Sequence, residues 1–225
     1  MIDRRVQTYA EAVGGIRDGA TVLLGGFGGA GVPLGLIAAV EELGPRDLTV
    51  VTNNAGSALP DLSVWLAAGR VRKLVCSYPK SKAKSTTTFV DLYMAGKIEL
   101  ELVPQGTLVE RIRCGGAGLG GFYTPVGAGT ALAVGKEVRM IEGREHVLES
   151  PIRGDVALLR ARQADRMGNL TYDKTARNFA PVMATAAALV VAEVDEFVEL
   201  GALDPEVVVT PGVLVDRVVR AGSPA

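Results

Sequence analysis

Soft metal ligands are scarce in this chain. Its 225 residues include one histidine, His146, and two cysteines, Cys76 and Cys114. They stand in no metal-like spacing, so no zinc or other metal site is expected. Free, buried thiols instead fit a reducing compartment. Aromatic residues are 5% of the chain, too few for an aromatic-rich binding module. Neither sign of charge dominates: 24 Lys and Arg stand against 25 Asp and Glu. That balance leaves no basic face for nucleic acid. The basic cluster of Lys80, Lys82 and Lys84 reads first as a solvated loop. Long hydrophobic runs are also missing. The opening MIDRRVQTYAEAV has no apolar stretch of signal-peptide type. The run from Asn178 to Ala192 carries no charge, but it contains Pro181 and falls short of the roughly 18–20 residues a membrane span needs. The expectation is a soluble, cytoplasmic protein with no membrane contact and no nucleic-acid partner.

What is abundant is apolar and small. Apolar residues make up 48% of the chain and Gly contributes 28 positions. This composition suits tightly packed helix–sheet layers, and the length suits one α/β domain over residues 1–225. Thr21-Val-Leu-Leu24 is a short continuous apolar strand of the kind buried on both faces of a parallel sheet. A glycine loop follows, then a helix opened by Pro33 and stopped by Gly44-Pro45. Asp47–Val51 is the next strand. The result is a βαβ unit with an expected right-handed crossover.

Further along, helices are expected at Val6–Ile16, Leu59–Ala68, Phe89–Ala95 and Thr107–Arg113, and a helix start at Pro181. Strands are expected at Val71–Cys76, Ile98–Val103, Asp155–Ala161, Ala187–Val194 and Val207–Thr210. Val138–Leu148 reads as a hairpin turning at Glu142-Gly143. Gly115–Gly129 reads as a long, functional or mobile loop. The alternation predicts a layered α/β fold, a mostly parallel sheet with flanking helices.

Gly26-Phe27-Gly28-Gly29-Ala30-Gly31 matches G-x-G-x-x-G after a strand and before a helix, as in dinucleotide-binding folds. Such a site needs an acidic residue about 20 positions on, at the end of the second strand. There the sequence reads Thr52-Asn53-Asn54-Ala55, with two carboxamides and no carboxylate. Phe27 is also bulky for a backbone that must lie against a pyrophosphate. The loop therefore asks for another explanation, of which a ligand-free tight turn is the plainest.

A more specific one comes from longer strings. Asp18–Pro33 (DGATVLLGGFGGAGVP) resembles the alpha-subunit signature of the family I coenzyme A transferases. Thr52-Asn53-Asn54-Ala55-Gly56 and Val103-Pro104-Gln105-Gly106-Thr107 are similar to two further segments of that family. So are Glu110–Arg113, Gly115–Gly118, Phe122–Pro125, Asp165–Leu170 and Arg177-Asn178-Phe179. The likeness runs through essentially the whole chain and implies a fold like that of ribose-5-phosphate isomerase. It implies ping-pong transfer of CoA between acyl groups through a glutamyl-CoA thioester. It also implies that the glutamate sits in a beta-type partner, in an S-E-N-G context which this sequence lacks.

The expected unit is thus one half of a hetero-oligomer, a heterodimer or heterotetramer, with 225 residues too few for both halves. CoA thioesters are expected as substrates and no cofactor as tightly bound. The resemblance gives Asn53, Asn54 and Gln105 an oxyanion or thioester role. The glycine loop of Gly25, Gly26, Phe27, Gly28 and Gly31 would present backbone amides. The alternative for the amide side chains is that they cap turns.

Val75–Pro79, Gly96–Leu100, Glu199–Pro205 and Thr210–Gly212 resemble most the family members that use succinyl-CoA and 3-oxoadipate. Acetoacetate-using and short-chain-acid members stand next to them. Lys80, Lys82 and Lys84 become candidates for a substrate's distal carboxylate, although the KSKAKSTTT stretch departs from that subfamily's pattern. His146, on a hairpin strand among charges, reads as a surface residue. A stand-alone sugar-phosphate isomerase on the same fold, or an acyl-CoA sensor, are the other classes left open.

Overall fold

The computed structural model describes residues 2–56, 61–79 and 87–224. Its frame is a sheet of eight strands. In chain order the strands are β1 (Thr21–Leu24), β2 (Leu48–Asn54), β3 (Val71–Tyr78), β4 (Glu99–Leu102), β8 (Gly154–Ala164), β9 (Leu170–Thr171), β10 (Ala187–Phe197) and β11 (Arg217–Arg220). The order across the sheet is β11-β10-β8-β1-β2-β3-β4, with every neighbouring pair parallel; β9 joins β8 antiparallel. A separate antiparallel sheet, in the order β5-β7-β6, holds β5 (Phe122–Thr124), β6 (Val138–Ile141) and β7 (Arg144–Glu149). The expected layered, mostly parallel α/β fold is what the chain adopts.

Strand composition explains why the large sheet is covered on both faces. Side chains alternate across a strand, yet both sets here are apolar. Val22, Leu24, Val50, Leu74, Cys76, Val156 and Leu158 enter one core, while Leu23, Val51, Val75, Ala157 and Leu159 enter the other. The first core is closed by α1 (Tyr9–Val13), α2 (Leu34–Leu43), α3 (Ser63–Ala67) and α4 (Thr87–Met94), with Trp65 wholly buried and its indole N–H given to the Ile37 carbonyl at 2.9 Å. The second is closed by α5 (Gln105–Gly116) and α6 (Ala180–Ala184), through Leu108, Ile112, Phe179 and Met183.

Several expectations are corrected. The helix expected from Val6 is a single short turn: Thr8 caps it and Glu11 reaches back, a capping box that sets its start at Tyr9. Gly115 and Gly116 are not loop. They are the last two residues of α5, and a side chain is excluded at each: a Cβ on Gly115 would strike the Ile152 carbonyl oxygen and one on Gly116 the Thr185 hydroxyl. Glycine there marks close approach, not freedom. Phe122–Thr124, also expected as loop, pairs with β7. Val207–Thr210 is not a strand: a 3-10 turn at Pro205–Val207 precedes a lone bridge from Thr210 to Leu170. Strands β9 and β11 were not foreseen.

The hairpin is as expected, β6 and β7 joined through Glu142 and Gly143 at φ 50° and 75°, the mirror-type turn that fits the twist of paired strands. Lys80, Lys82 and Lys84 lie outside the described residues. Among the described residues no helix is long and apolar enough to cross a membrane.

Candidate active site

Parallel sheets place ligands beyond the carboxyl ends of their strands, where the strand order reverses direction. Here that point is β1: the chain proceeds from it through β2, β3 and β4 on one side, and returns to β8 on the other. The residues singled out in the sequence collect at this edge. The glycine loop leaves β1, Asn53 and Asn54 end β2, and Gln105 begins α5 directly after β4.

The loop is a tight reversal. Phe27 and Ala30 exchange both backbone hydrogen bonds, at 2.9 and 3.0 Å, across Gly28 and Gly29, whose φ values are 57° and 95°. Two consecutive left-handed residues explain the glycine pair. The Gly25 N–H is taken by the Leu158 carbonyl and the Gly26 N–H by the Asn178 side chain. Among the described residues, no acceptor lies within hydrogen-bonding reach of the N–H groups of Gly28, Gly29, Gly31 and Val32. The amides open to a ligand are therefore these four, and not those of Gly25, Gly26 or Phe27. Phe27 itself is 47% exposed at the tip.

The three carboxamides are linked in series. Gln105 donates from Nε2 to Asn53 Oδ1 at 2.6 Å, Asn53 donates weakly to Asn54 Oδ1 at 3.4 Å, and Asn54 donates to the Gly56 carbonyl at 3.0 Å. The last of these is a turn-capping bond. The first joins the start of α5 to the end of β2 and cannot be local. Asn53 is 5% exposed. A small hollow between Gly25, Gly26, Val32, Thr52, Asn54 and Asp61 separates this series from the glycine loop.

On the loop's other flank lies a cleft of about 300 Å³, lined by Gly29, Gly31, Arg160, Arg162, Tyr172 and Asp195 among others. Behind it, the buried Glu193 takes the Leu36 N–H at the start of α2 (3.0 Å) and pairs with Arg160, which also reaches Asp195. This carboxylate complements the helix's positive end and holds α2 against β10. Sequence reading had no signal for it. Burial pushes the Tyr172 phenol up to about 12, opposed by its hydrogen bond with Thr210, so the hydroxyl stays protonated.

His146 sits on β7 with its Nδ1 3.0 Å from the Arg144 carbonyl, away from this edge. Cys76 and Cys114 are buried and unpaired. Among the described residues no cluster of His, Cys, Asp or Glu could hold a metal ion. A residue that sequence reading left without a role is Asn178. It stood inside a matched string, and its five hydrogen bonds to the surrounding turns appear only in three dimensions.

Comparison with known proteins concerns the chain as a whole. The family model for Coenzyme A transferase matches residues 6–221. The chain is 52% identical to the A-type subunit of the 3-oxoadipate CoA-transferase of Pseudomonas putida, over all 225 of its residues and 96% of that relative. It is 46% identical to the A-type subunit of the succinyl-CoA:3-ketoacid coenzyme A transferase of Xanthomonas campestris pv. campestris, over 98% of this chain and 90% of that one. An acyl-CoA transferase of Escherichia coli O157:H7 superposes on 99% of the chain with a TM-score of 0.85 at 25% identity. This chain spans 48% of that longer one.

Proposed function

This chain belongs to the coenzyme A transferase family, and we propose that it is the A-type subunit of a two-chain enzyme that moves CoA from succinyl-CoA to 3-oxoadipate. The identity of 52% along its whole length to the corresponding subunit of a 3-oxoadipate CoA-transferase carries this reading. The 46% identity to the same subunit of a succinyl-CoA:3-ketoacid transferase favours a second acceptor, acetoacetate, on the same machinery.

The nucleophile is a glutamate of the partner chain. Its carboxylate attacks the donor thioester carbonyl and expels CoA thiolate, leaving a mixed anhydride. The thiolate attacks the glutamyl carbonyl of that anhydride and expels succinate, so the glutamate now carries CoA as a thioester. The acceptor carboxylate repeats the two steps in reverse, which restores the glutamate and releases the new acyl-CoA. No proton is gained or lost overall.

Each attack develops negative charge on a carbonyl oxygen. Preorganised donors aimed at that oxygen lower the barrier, and removing one such donor typically costs about 10²–10³ in rate. The open N–H groups of Gly28, Gly29, Gly31 and Val32 fit this task, and Asn54, linked through Asn53 to Gln105, lines the small hollow together with Val32. Lys80, Lys82 and Lys84 follow the end of β3 in sequence and would meet the distal carboxylate that succinyl and 3-oxoadipyl groups share. CoA enters as the thioester of one acid and leaves as the thioester of another.

The test is to recover the chain with its partner and assay transfer from succinyl-CoA to 3-oxoadipate, with acetoacetate beside it. Activity that requires both chains and prefers 3-oxoadipate is the expected result. Full activity from this chain alone, or none with either acceptor, would overturn the reading.

A further inference from the structure

Asn178 ends the 3-10 turn Lys174–Arg177 with φ 24° and ψ −110°. That backbone is costly for a residue with a side chain, and such strain persists only where its surroundings enforce it. What enforces it here is the glycine loop. Oδ1 of Asn178 accepts the Gly26 N–H at 3.2 Å and the Phe179 N–H at 2.7 Å. Nδ2 donates to the carbonyls of Ala30 at 3.0 Å and Ala176 at 2.8 Å, with a longer contact to Thr175. One carboxamide therefore holds both arms of the Gly26–Gly31 reversal, one through an N–H and the other through a carbonyl. It also ties them to a turn more than a hundred residues away.

The contact leaves no room. A Cβ on Gly31 would collide with the Ala176 carbonyl oxygen and crowd the Asn178 amide. Gly31 also has φ 68°, so the loop is adapted to the turn both in space and in backbone conformation.

We propose that Asn178 is a positioning residue for CoA transfer: by clamping Gly26 and Ala30 it aims the four open N–H groups of the glycine loop at the reacting carbonyl oxygen. The proposal rests on the transferase reading above. Asn178 itself need not touch the substrate. Its own donors and acceptors are spent on the protein, and the effect on the reaction passes through the amides of Gly28, Gly29, Gly31 and Val32. An aspartate at this position would keep the acceptor for Gly26 but would set a carboxylate against the Ala30 and Ala176 carbonyls. A glycine would relieve the backbone and release the loop.

The experiment compares Asn178→Gly and Asn178→Asp with the wild type, each as the complex with its partner chain. Hydrogen exchange of a peptide spanning residues 25–32 is read alongside kcat, KM for succinyl-CoA and the rate of forming the enzyme–CoA thioester in a single turnover. For Asn178→Gly the expected result is faster exchange in that peptide and a thioester rate lower by about 10²-fold, the scale of a misplaced reacting group. KM should stay within about threefold if the loop acts on the reacting carbonyl and not on ground-state binding. Asn178→Asp should show slower thioester formation too.

Unchanged exchange in residues 25–32 would overturn the clamp whatever the activity. Faster exchange with an unchanged thioester rate would overturn its catalytic role. A lowered Tm with the thioester rate intact would leave Asn178 structural only, and also overturns the proposal. Wild-type complex that transfers no CoA would overturn the transferase reading instead, while the exchange result would still decide the clamp.

Discussion

Replacing Arg111 with methionine should cost the fold several times what losing an exposed ion pair costs. Arg111, on α5, joins two carboxylates and a carbonyl. Its NH1 donates to Glu101 at 2.6 Å and its Nε to the Ser150 carbonyl at 2.7 Å, with Glu149 3.7 Å from Nε. Lys73 takes the other oxygen of Glu101 and Lys136 that of Glu149, both at 2.6 Å. The network thereby binds β3 and β4 of the large sheet to β7 of the small one, with α5 between. The side chains of Arg111 and Glu149 are 11% and 4% exposed, while that of Glu101 is 32% exposed.

Losing one partner of a buried pair costs about 3–5 kcal/mol, mostly by stranding the other charge. Glu101 keeps its lysine and some water, and Glu149 keeps Lys136, so the lower end, about 3 kcal/mol, is expected. For a chain of this length that is a fall in Tm of about 6–12 °C. The measurement is thermal unfolding of Arg111→Met, Glu149→Gln and the double variant. Neutralising Glu149 removes the stranded charge, so the double variant should be less destabilised than the sum by about 1–3 kcal/mol.

The pH dependence has a definite sign. Burial opposes ionisation of Glu101, but hydrogen bonds from Lys73 and Arg111 outweigh it and hold its carboxyl below the ordinary 4.5. A lowered folded value means stability that is present above pH 4.5 and lost as pH falls through the folded value. Arg111→Met should show a shallower acid decline than wild type. A cost under about 1 kcal/mol, or strict additivity in the double variant, would refute the idea that these charges act as one unit.

Two further outcomes can be checked independently. Gln105→Ala should lower kcat/KM for succinyl-CoA by at least about tenfold, by removing a donor at the strand ends and releasing Asn53. Its Tm should move little, because Gln105 is exposed at the start of α5; an unchanged kcat/KM measured on the assembled enzyme would reduce the residue to a turn cap. Burial pushes the Cys76 thiol up to about 12 from 9.0, only partly offset by a backbone hydrogen bond at Tyr78. Iodoacetamide at about pH 8, below the ordinary thiol range, should therefore leave Cys76 unmodified until the chain is unfolded. A raised thiol value gives stability that is full below pH 9.0 and lost as pH rises toward about 12, so Cys76→Ala should flatten the alkaline decline.

Much of the fold was legible because its signals are local. Thr21–Leu24 is apolar at every position but the first, and the structure buries it on both faces. Pro33 and Gly44-Pro45 bracket α2, and Glu142-Gly143 makes the hairpin turn. The long matched strings around Asp18–Pro33 and Thr52–Gly56 pointed to the transferase family, which the family-wide match bears out. Gly115, Gly116 and Phe122–Thr124 were misread because glycine has two opposite uses. The one that applies here, letting α5 approach Ile152 and Thr185, depends on neighbours far along the chain. Val207–Thr210 was misread because β-branched residues favour a strand only when a partner strand lies beside them.

Composition, periodicity and matched strings determined a parallel α/β chain, its glycine loop and its carboxamides, since each depends on residues within a few positions of one another. Only the tertiary structure decided which groups of that loop are open. The Gly26 amide is taken by Asn178, and the Phe27 and Ala30 amides by each other's carbonyls, so the available donors are Gly28, Gly29, Gly31 and Val32. Hydrogen bonds between positions 26 and 178, 36 and 193, or 53 and 105 leave no periodic trace in a sequence. They exist because parallel strands bring the ends of distant segments to one edge of the sheet.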